Sequence, residues 1–315
     1  MTSEGLLALK EARQYSRVQI SLLRVELEKI LDKNEVGIVV VGSFGRAEAS
    51  PHSDLDFFLI KRRPEYDPSS DLEKVKNKVT ELGIKQPSFD GAFASHIDLS
   101  SDILKNIGGF QDTNQKLTRR VLLLLEGTWL HNQALYDELL GALIDQYVRE
   151  TITEHQLARF FLNDLIRYYR TICVDFEHKT YEDGKSWGDR NIKLMFSRKL
   201  LYFSGILVVA ETVQHQWSFK RKILADYLRM TPTERVQRIC DGQGEVALRL
   251  YNKFLEMMSS QDVRDMLKRT TEDRHQHSVE FRNFKNTGHH FTWELSRLLT
   301  TTYDSGHPIH TALKF

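Results

Sequence analysis

The stretch VVVGSFGRAEASPHSDLDFFLIK, residues 39–61, restricts the fold more than any other part of the chain. A β-branched run over residues 35–41 ends at Gly42, the pattern of a buried strand running into a turn. After ten intervening residues from Ser43, residues 54–60 place Leu55, Phe57 and Leu59 on one face and Asp54, Asp56 and Phe58 on the other. That is a second strand, of period two. Aspartate is a poor strand former, and two on one face repel each other. A cation would compensate them. Two residues apart, their Cα atoms lie about 7 Å from one another, so the carboxylates can converge on a hard ion. Magnesium suits this set, because it prefers oxygen ligands and shares its coordination between a few carboxylates and substrate phosphates. Manganese is the alternative. In two-metal sites the ions lie about 4 Å apart.

The turn before this strand has the makings of a phosphate seat. Gly42 lets the backbone turn sharply and lets a ligand approach closely. A helix starting near Phe44 would point free N–H groups at the turn. Ser43 can add a hydroxyl, and Arg46, one turn into that helix, a cation. A third carboxylate is expected on a neighbouring strand. Asp98, in SHIDLS, fits best, with Ile97 and Leu99 facing the core. Asp90 and Asp102 stand in turn-like sequence and are the alternatives.

Elsewhere the periodicity predicts a helix over 4–31, a charged surface helix over 69–82 and a third strand over 92–99. From about residue 113 the pattern changes to long helices: 115–129, 134–150, 154–177, 191–213, 219–230, 245–259 and 271–302. The expected organisation is an α/β (α+β) module with a small mixed sheet over 1–112, then an all-helical domain over 113–315 that docks substrate or clamps nucleotide. The tail SGHPIHTALKF reads as irregular. The 44 basic and 43 acidic residues of the 315 give a net charge of +1, without the strong basicity of bulk nucleic-acid binders. Two cysteines far apart, Cys173 and Cys240, argue against a disulfide scaffold or zinc knuckle. The N-terminus lacks a signal-peptide pattern, and the longest apolar stretch, 200–210, is too short to span a bilayer. The expectation is a soluble cytoplasmic protein.

The string GSFGRAEASPHSDLDFFLI, with Asp98 in an Ile-Asp-Leu strand, resembles the DNA polymerase β-like nucleotidyltransferase superfamily. It looks most like the subset containing minimal nucleotidyltransferases and the uridylyltransferases that modify signalling proteins. The resemblance covers residues 36–100. It implies transfer of a nucleoside monophosphate from an NTP, with ATP or UTP favoured, onto a hydroxyl acceptor. Pyrophosphate would leave, and two magnesium ions would serve. Residue by residue it implies triphosphate contact at Gly42 and Ser43, metal ligation at Asp54 and Asp56, and a catalytic or metal role at Asp98. It supplies no acceptor, since the superfamily's acceptors range over nucleic-acid ends, antibiotics, proteins and nucleotides.

In the helical part, Lys193 and Ser197 share one helix face, with Arg198 close to it. Lys193 or Arg198 either contacts the triphosphate, as second-domain basic residues do in the resembled superfamily, or belongs to a solvated charged face. Tyr168, Tyr169 and Tyr202 are candidates for stacking on a base, or are core. His275, His277, His289 and His290 form no zinc pattern and read as surface, and His52 lines a loop. Of Arg119–Arg120, Lys220–Arg221–Lys222 and Lys268–Arg269, most read as solvated, with one run available to dock an anionic acceptor such as RNA. Three functions follow. The first is a magnesium-dependent transferase acting on a protein, tRNA or other macromolecule. The second is a variant acting on a small molecule of the aminoglycoside type. The third is a non-catalytic nucleotide-binding subunit.

Overall fold

Four short strands, β1 (Val36–Val40), β2 (Phe57–Lys61), β3 (Ile97–Asp98) and β4 (Thr128–His131), form one mixed sheet in the order β3-β2-β1-β4. The computed structural model describes residues 3–87, 96–99, 103–273 and 278–314. β1 runs antiparallel to both β2 and β4, with Val36 opposite Lys61 and Val40 opposite Phe57. β3 lies parallel to β2, with Ile60 beside Ile97 and Lys61 beside Asp98.

The helices, in chain order, are α1 (Leu7–Glu28), α2 (Gly42–Gly45), α3 (Ser69–Glu81), α4 (Asn114–Glu126), α5 (Gln133–Tyr147), α6 (Arg159–Tyr181), α7 (Trp187–Lys193), α8 (Lys199–Ala210), α9 (Trp217–Leu228), α10 (Pro232–Ile239), α11 (Glu245–Ser259), α12 (Gln261–Arg269), α13 (Val279–Thr302) and α14 (Pro308–Ala312). The expected small sheet followed by a mostly helical part is therefore present. The chain divides into two compact units. One contains Ala12–Asp164 and Thr212–Thr231; the other contains Met1–Glu11, Leu165–Glu211 and Pro232–Phe315. Within the sheet-bearing unit α5 packs on β1, and α4 and α9 pack on α5.

In the sheet-bearing unit one face of the sheet holds the core. Val36, Ile38 and Val40 of β1 and Phe57 and Leu59 of β2 meet Ile20, Leu23 and Leu27 of α1 and Val75 and Val79 of α3. The opposite face is covered by α5, close enough that a Cβ on Gly37 would stand 3.1 Å from Leu135 Cδ2. In the helical unit, α8 is buried all round. Phe196 stacks on Phe254 at 4.7 Å and on Phe291 at 5.4 Å.

Several elements differ from the sequence expectation. The helix expected over 115–129 ends at Glu126, and the residues after Gly127 are strand β4. The apolar run VLLLLEGTWLH hides this change of element, since both a buried helix and a buried strand are apolar. The helix expected over 191–213 is instead α7, a π-helical turn at Leu194–Arg198 and then α8. Helices α10 and α12 were not anticipated, and α13 begins at Val279 rather than at 271. The tail is partly ordered: His307 caps α14, which buries Ile309 and Ala312. Of the strand expected over 92–99, residues 92–95 lie outside the described residues. Among the described residues no helix is long and apolar enough to cross a membrane.

Candidate active site

The segment Asp54-Leu55-Asp56 enters β2 pinned from three sides. Leu55 is fully buried in the core. Its N–H donates to the Lys85 carbonyl at 3.0 Å, and Asp54 makes a parallel bridge with Lys85. On the other side the Val41 N–H donates to the Asp56 carbonyl at 2.9 Å, which extends the β1–β2 ladder by one pair. Alternation then sends both aspartates to the side opposite Leu55. Each is half-buried.

That pairing brings Asp56 against Gly42. Gly42 has φ +67°, and a Cβ there would stand 2.7 Å from Asp56 Oδ2. No L side chain fits this position without displacing the carboxylate, so glycine is required for both conformation and space. The turn is held by a buried ion cluster. Glu126, the last residue of α4, accepts the Gly42 N–H on Oε1 at 2.9 Å and an Arg46 Nη1 hydrogen bond on Oε2 at 2.5 Å. Arg46 Nε donates to Glu48 Oε2 at 2.8 Å. The Glu48 N–H donates to the Ser43 carbonyl at 2.8 Å, closing the loop. Ala47 is held at φ +56°, in the left-handed region that costs a non-glycine residue about 1 kcal/mol or more. Ser16 of α1 accepts the Ala49 N–H at 3.0 Å and fixes the loop's far end.

The structure brings Gly42, Ser43, Asp54 and Asp56 to one end of the sheet. It does not bring Asp98 there. Asp98 pairs with Lys61, five residues beyond Asp56 on β2, which is about 16 Å along the strand. It also lies on the sheet side of Phe57 and Leu59, opposite to that of the two aspartates. Because β3 runs parallel to β2, Asp98 is placed at the far end of β2 from Asp54 and Asp56. The alternatives Asp90 and Asp102 lie outside the described residues.

The structure places Arg46 within the buried ion cluster. It is buried, 8% exposed, and is engaged by Glu48 and Glu126 instead of facing a ligand. The helix expected from Phe44 is the single turn α2, too short to add a macrodipole. The Gly42 N–H is already committed to Glu126. Ser43, half-buried, remains as the donor at the turn.

Lys193 and Arg198 belong to the helical unit. Lys193 Nζ lies 2.8 Å from Asp189 Oδ2 and is exposed, an ion pair on a solvated face. Arg198 is half-buried at the end of the π-helical turn. Tyr168 is core, and Tyr169 and Tyr202 stack on each other at 4.5 Å. Burial pushes the Tyr169 hydroxyl up to about 12. His52, His289 and His290 are exposed, as expected, and His275 and His277 lie outside the described residues. Of the basic runs read mostly as solvated, Arg119, Arg120 and Lys220 are buried, and Lys220 donates to the carbonyls of Glu154, Gln156 and Thr212.

The residues present fit a divalent metal in one respect that geometry decides. Two carboxylates share a face, and Gly42 leaves the Asp56 carboxylate its space, since a Cβ there would stand 2.7 Å from Oδ2. Among the described residues no group of three or more His, Cys, Asp or Glu side chains gathers as a metal site; Asp54 and Asp56 are the candidate carboxylates that share a face.

With this geometry in place, the comparisons are informative. Residues 23–109 match the family model of a nucleotidyltransferase domain, consistent with the polymerase β-like superfamily. The matched span runs from α1 through β1, the Gly42 turn, β2 and β3. Such a domain supports transfer of a nucleoside monophosphate. No curated protein and no solved structure matches the chain.

Glu126 and Glu48 were missed by the sequence reading. The signal for Glu126 was a single carboxylate closing an otherwise apolar run, VLLLLEG. A charge in such a run needs a partner, but its partners lie about eighty residues earlier, beyond any local pattern.

Proposed function

We propose that this protein is a magnesium-dependent nucleotidyltransferase that moves a nucleoside monophosphate from an NTP to a hydroxyl group of a protein, an RNA or another macromolecule. The observation that carries the reading is the Gly42 turn packed against Asp56, with Asp54 on the same face, inside the matched domain. In the reaction the acceptor oxygen attacks the α-phosphorus and forms a new P–O bond. The bond from that phosphorus to the α,β-bridging oxygen breaks, and pyrophosphate leaves with the electron pair. The acceptor's proton passes to solvent or to a carboxylate at the site. Asp54 and Asp56 would hold the magnesium, two ions by the resemblance, which when bound neutralises triphosphate charge and lowers the pKa of the attacking hydroxyl. Gly42 leaves room for the Asp56 carboxylate beside the turn. Ser43 offers its hydroxyl to a phosphate of the NTP, and Leu55 keeps both aspartates aimed outward. ATP and UTP are the nucleotides to try first. Lys193 and Arg198 are not needed for this assignment.

The test is pyrophosphate release from NTP, with cell extract as the source of acceptor. Asp54→Asn and Asp56→Asn should each abolish it, as should chelation of divalent metal. Ser43→Ala should retain part of the rate, because losing one phosphate contact costs about 3 kcal/mol, roughly a hundredfold. Near-normal turnover in either aspartate variant would overturn the assignment.

A further inference from the structure

Glu126 stands where a carboxylate is unfavourable. Its side chain is fully buried, and it is the last residue of α4, at the negative end of that helix. Two contacts offset this placement, and both lead to the candidate metal site. Oε2 takes Arg46, four residues into the turn. Oε1 takes the N–H of Gly42, the residue whose left-handed conformation leaves room for Asp56. Arg46 is tied in turn to Glu48, whose N–H binds the Ser43 carbonyl. The α4 end and the turn also touch directly: a Cβ on Gly45 would stand 2.1 Å from the Glu126 carbonyl oxygen.

We infer that Glu126 is a positioning residue for the metal carboxylates: by holding the Gly42 peptide it fixes the wall against which Asp56 Oδ2 rests. This rests on the reading above of Asp54 and Asp56 as metal ligands. Without the Oε1 acceptor, Gly42, with no Cβ to restrict it, is free to leave φ +67°. The Asp56 carboxylate then loses its fixed neighbour and its convergence with Asp54. Groups that orient a metal ligand typically change metal affinity by about ten- to a hundredfold when removed.

The experiment measures Mn2+ binding to the full chain without nucleotide, from the loss of the free-ion electron paramagnetic resonance signal, alongside metal-free melting temperature. The variants are Glu126→Ala, Glu126→Gln and Asp56→Asn. Asp56→Asn should lose most of the binding. Glu126→Ala should weaken it about tenfold or more. Glu126→Gln keeps an oxygen for the Gly42 N–H but loses the charge that pairs with Arg46 and steadies the same turn, so it should fall between Glu126→Ala and the wild type. If Glu126→Ala does not fold, the Gln variant alone decides, since it too must bind more weakly than the wild type. Wild-type Mn2+ affinity in Glu126→Gln, with or without a lower melting temperature, would overturn the inference and leave the proposed function standing, provided Asp56→Asn has lost binding. Equal binding by wild type and Asp56→Asn would overturn both.

Discussion

Leu55 aims Asp54 and Asp56: one fully buried side chain between two half-buried ones turns both carboxylates to a single side. Burial works in the opposite way at His131. Its ring is 1% exposed on β4, with Nδ1 3.5 Å from Glu28 Oε2, and neither ring nitrogen has a hydrogen-bond partner among the described residues. Burial lowers its pKa, against the pull of the Glu28 charge, of the Asp32 backbone and of the Asp32 charge, and with that of Lys33. The folded state therefore resists a proton that the unfolded chain accepts below about pH 6.5. Stability should be independent of this group above that pH and should fall as the pH drops below it, by at most about 1.4 kcal/mol per unit. Melting temperatures between pH 7.5 and 5 should show a smaller loss for His131→Gln than for the wild type; parallel curves would contradict this. The sequence made the aspartate pair legible because its cause is local, an alternation over three residues. The register of Asp98 was not legible, because an Ile-Asp-Leu triplet carries no information on strand direction or pairing, and these put Asp98 beside Lys61. The surroundings of Arg46 were not legible for a similar reason, its two carboxylates being invisible to spacing.

At the scale of elements, α4 connects two constraints. Its C-terminal residue holds the Gly42 turn, while Arg120 in its middle anchors the chain that precedes it. Arg120 is fully buried and bidentate to Asp112 at 3.0 and 2.9 Å, and it also binds Asp164 at 2.6 Å and the Tyr147 hydroxyl at 2.6 Å. Burial disfavours its charge, but Asp112, Tyr147 and Asp164 outweigh burial and raise its pKa. Arg120→Met would strip two buried carboxylates of their guanidinium and should cost about 3–5 kcal/mol in denaturant unfolding. Tyr147→Phe removes only a hydroxyl and should cost about 1–2 kcal/mol. Equal losses in the two variants would show that the charge pairing is not the main term. The long helices α5 and α11 were readable from period. Strand β4 was not, since its four residues follow α4 after a single glycine and depend on pairing with β1.

The whole molecule follows contacts rather than sequence order, and its sheet-bearing unit draws in residues 212–231 from the helical half. A fragment of residues 1–112 contains the complete motif yet lacks β4, Glu126, α5 and α9. It should show no cooperative thermal transition by circular dichroism, and a sharp native-like transition would refute the unit boundary. For the full chain, the decisive measurement is the fate of label from NTPs carrying radioactive phosphorus at the α or the γ position, incubated with magnesium and cell extract. Nucleotidyl transfer predicts label on the acceptor from the α position and none from the γ position, with no transfer by Asp56→Asn. Acceptor label from the γ position, or α-label transferred equally by Asp56→Asn, would contradict the account.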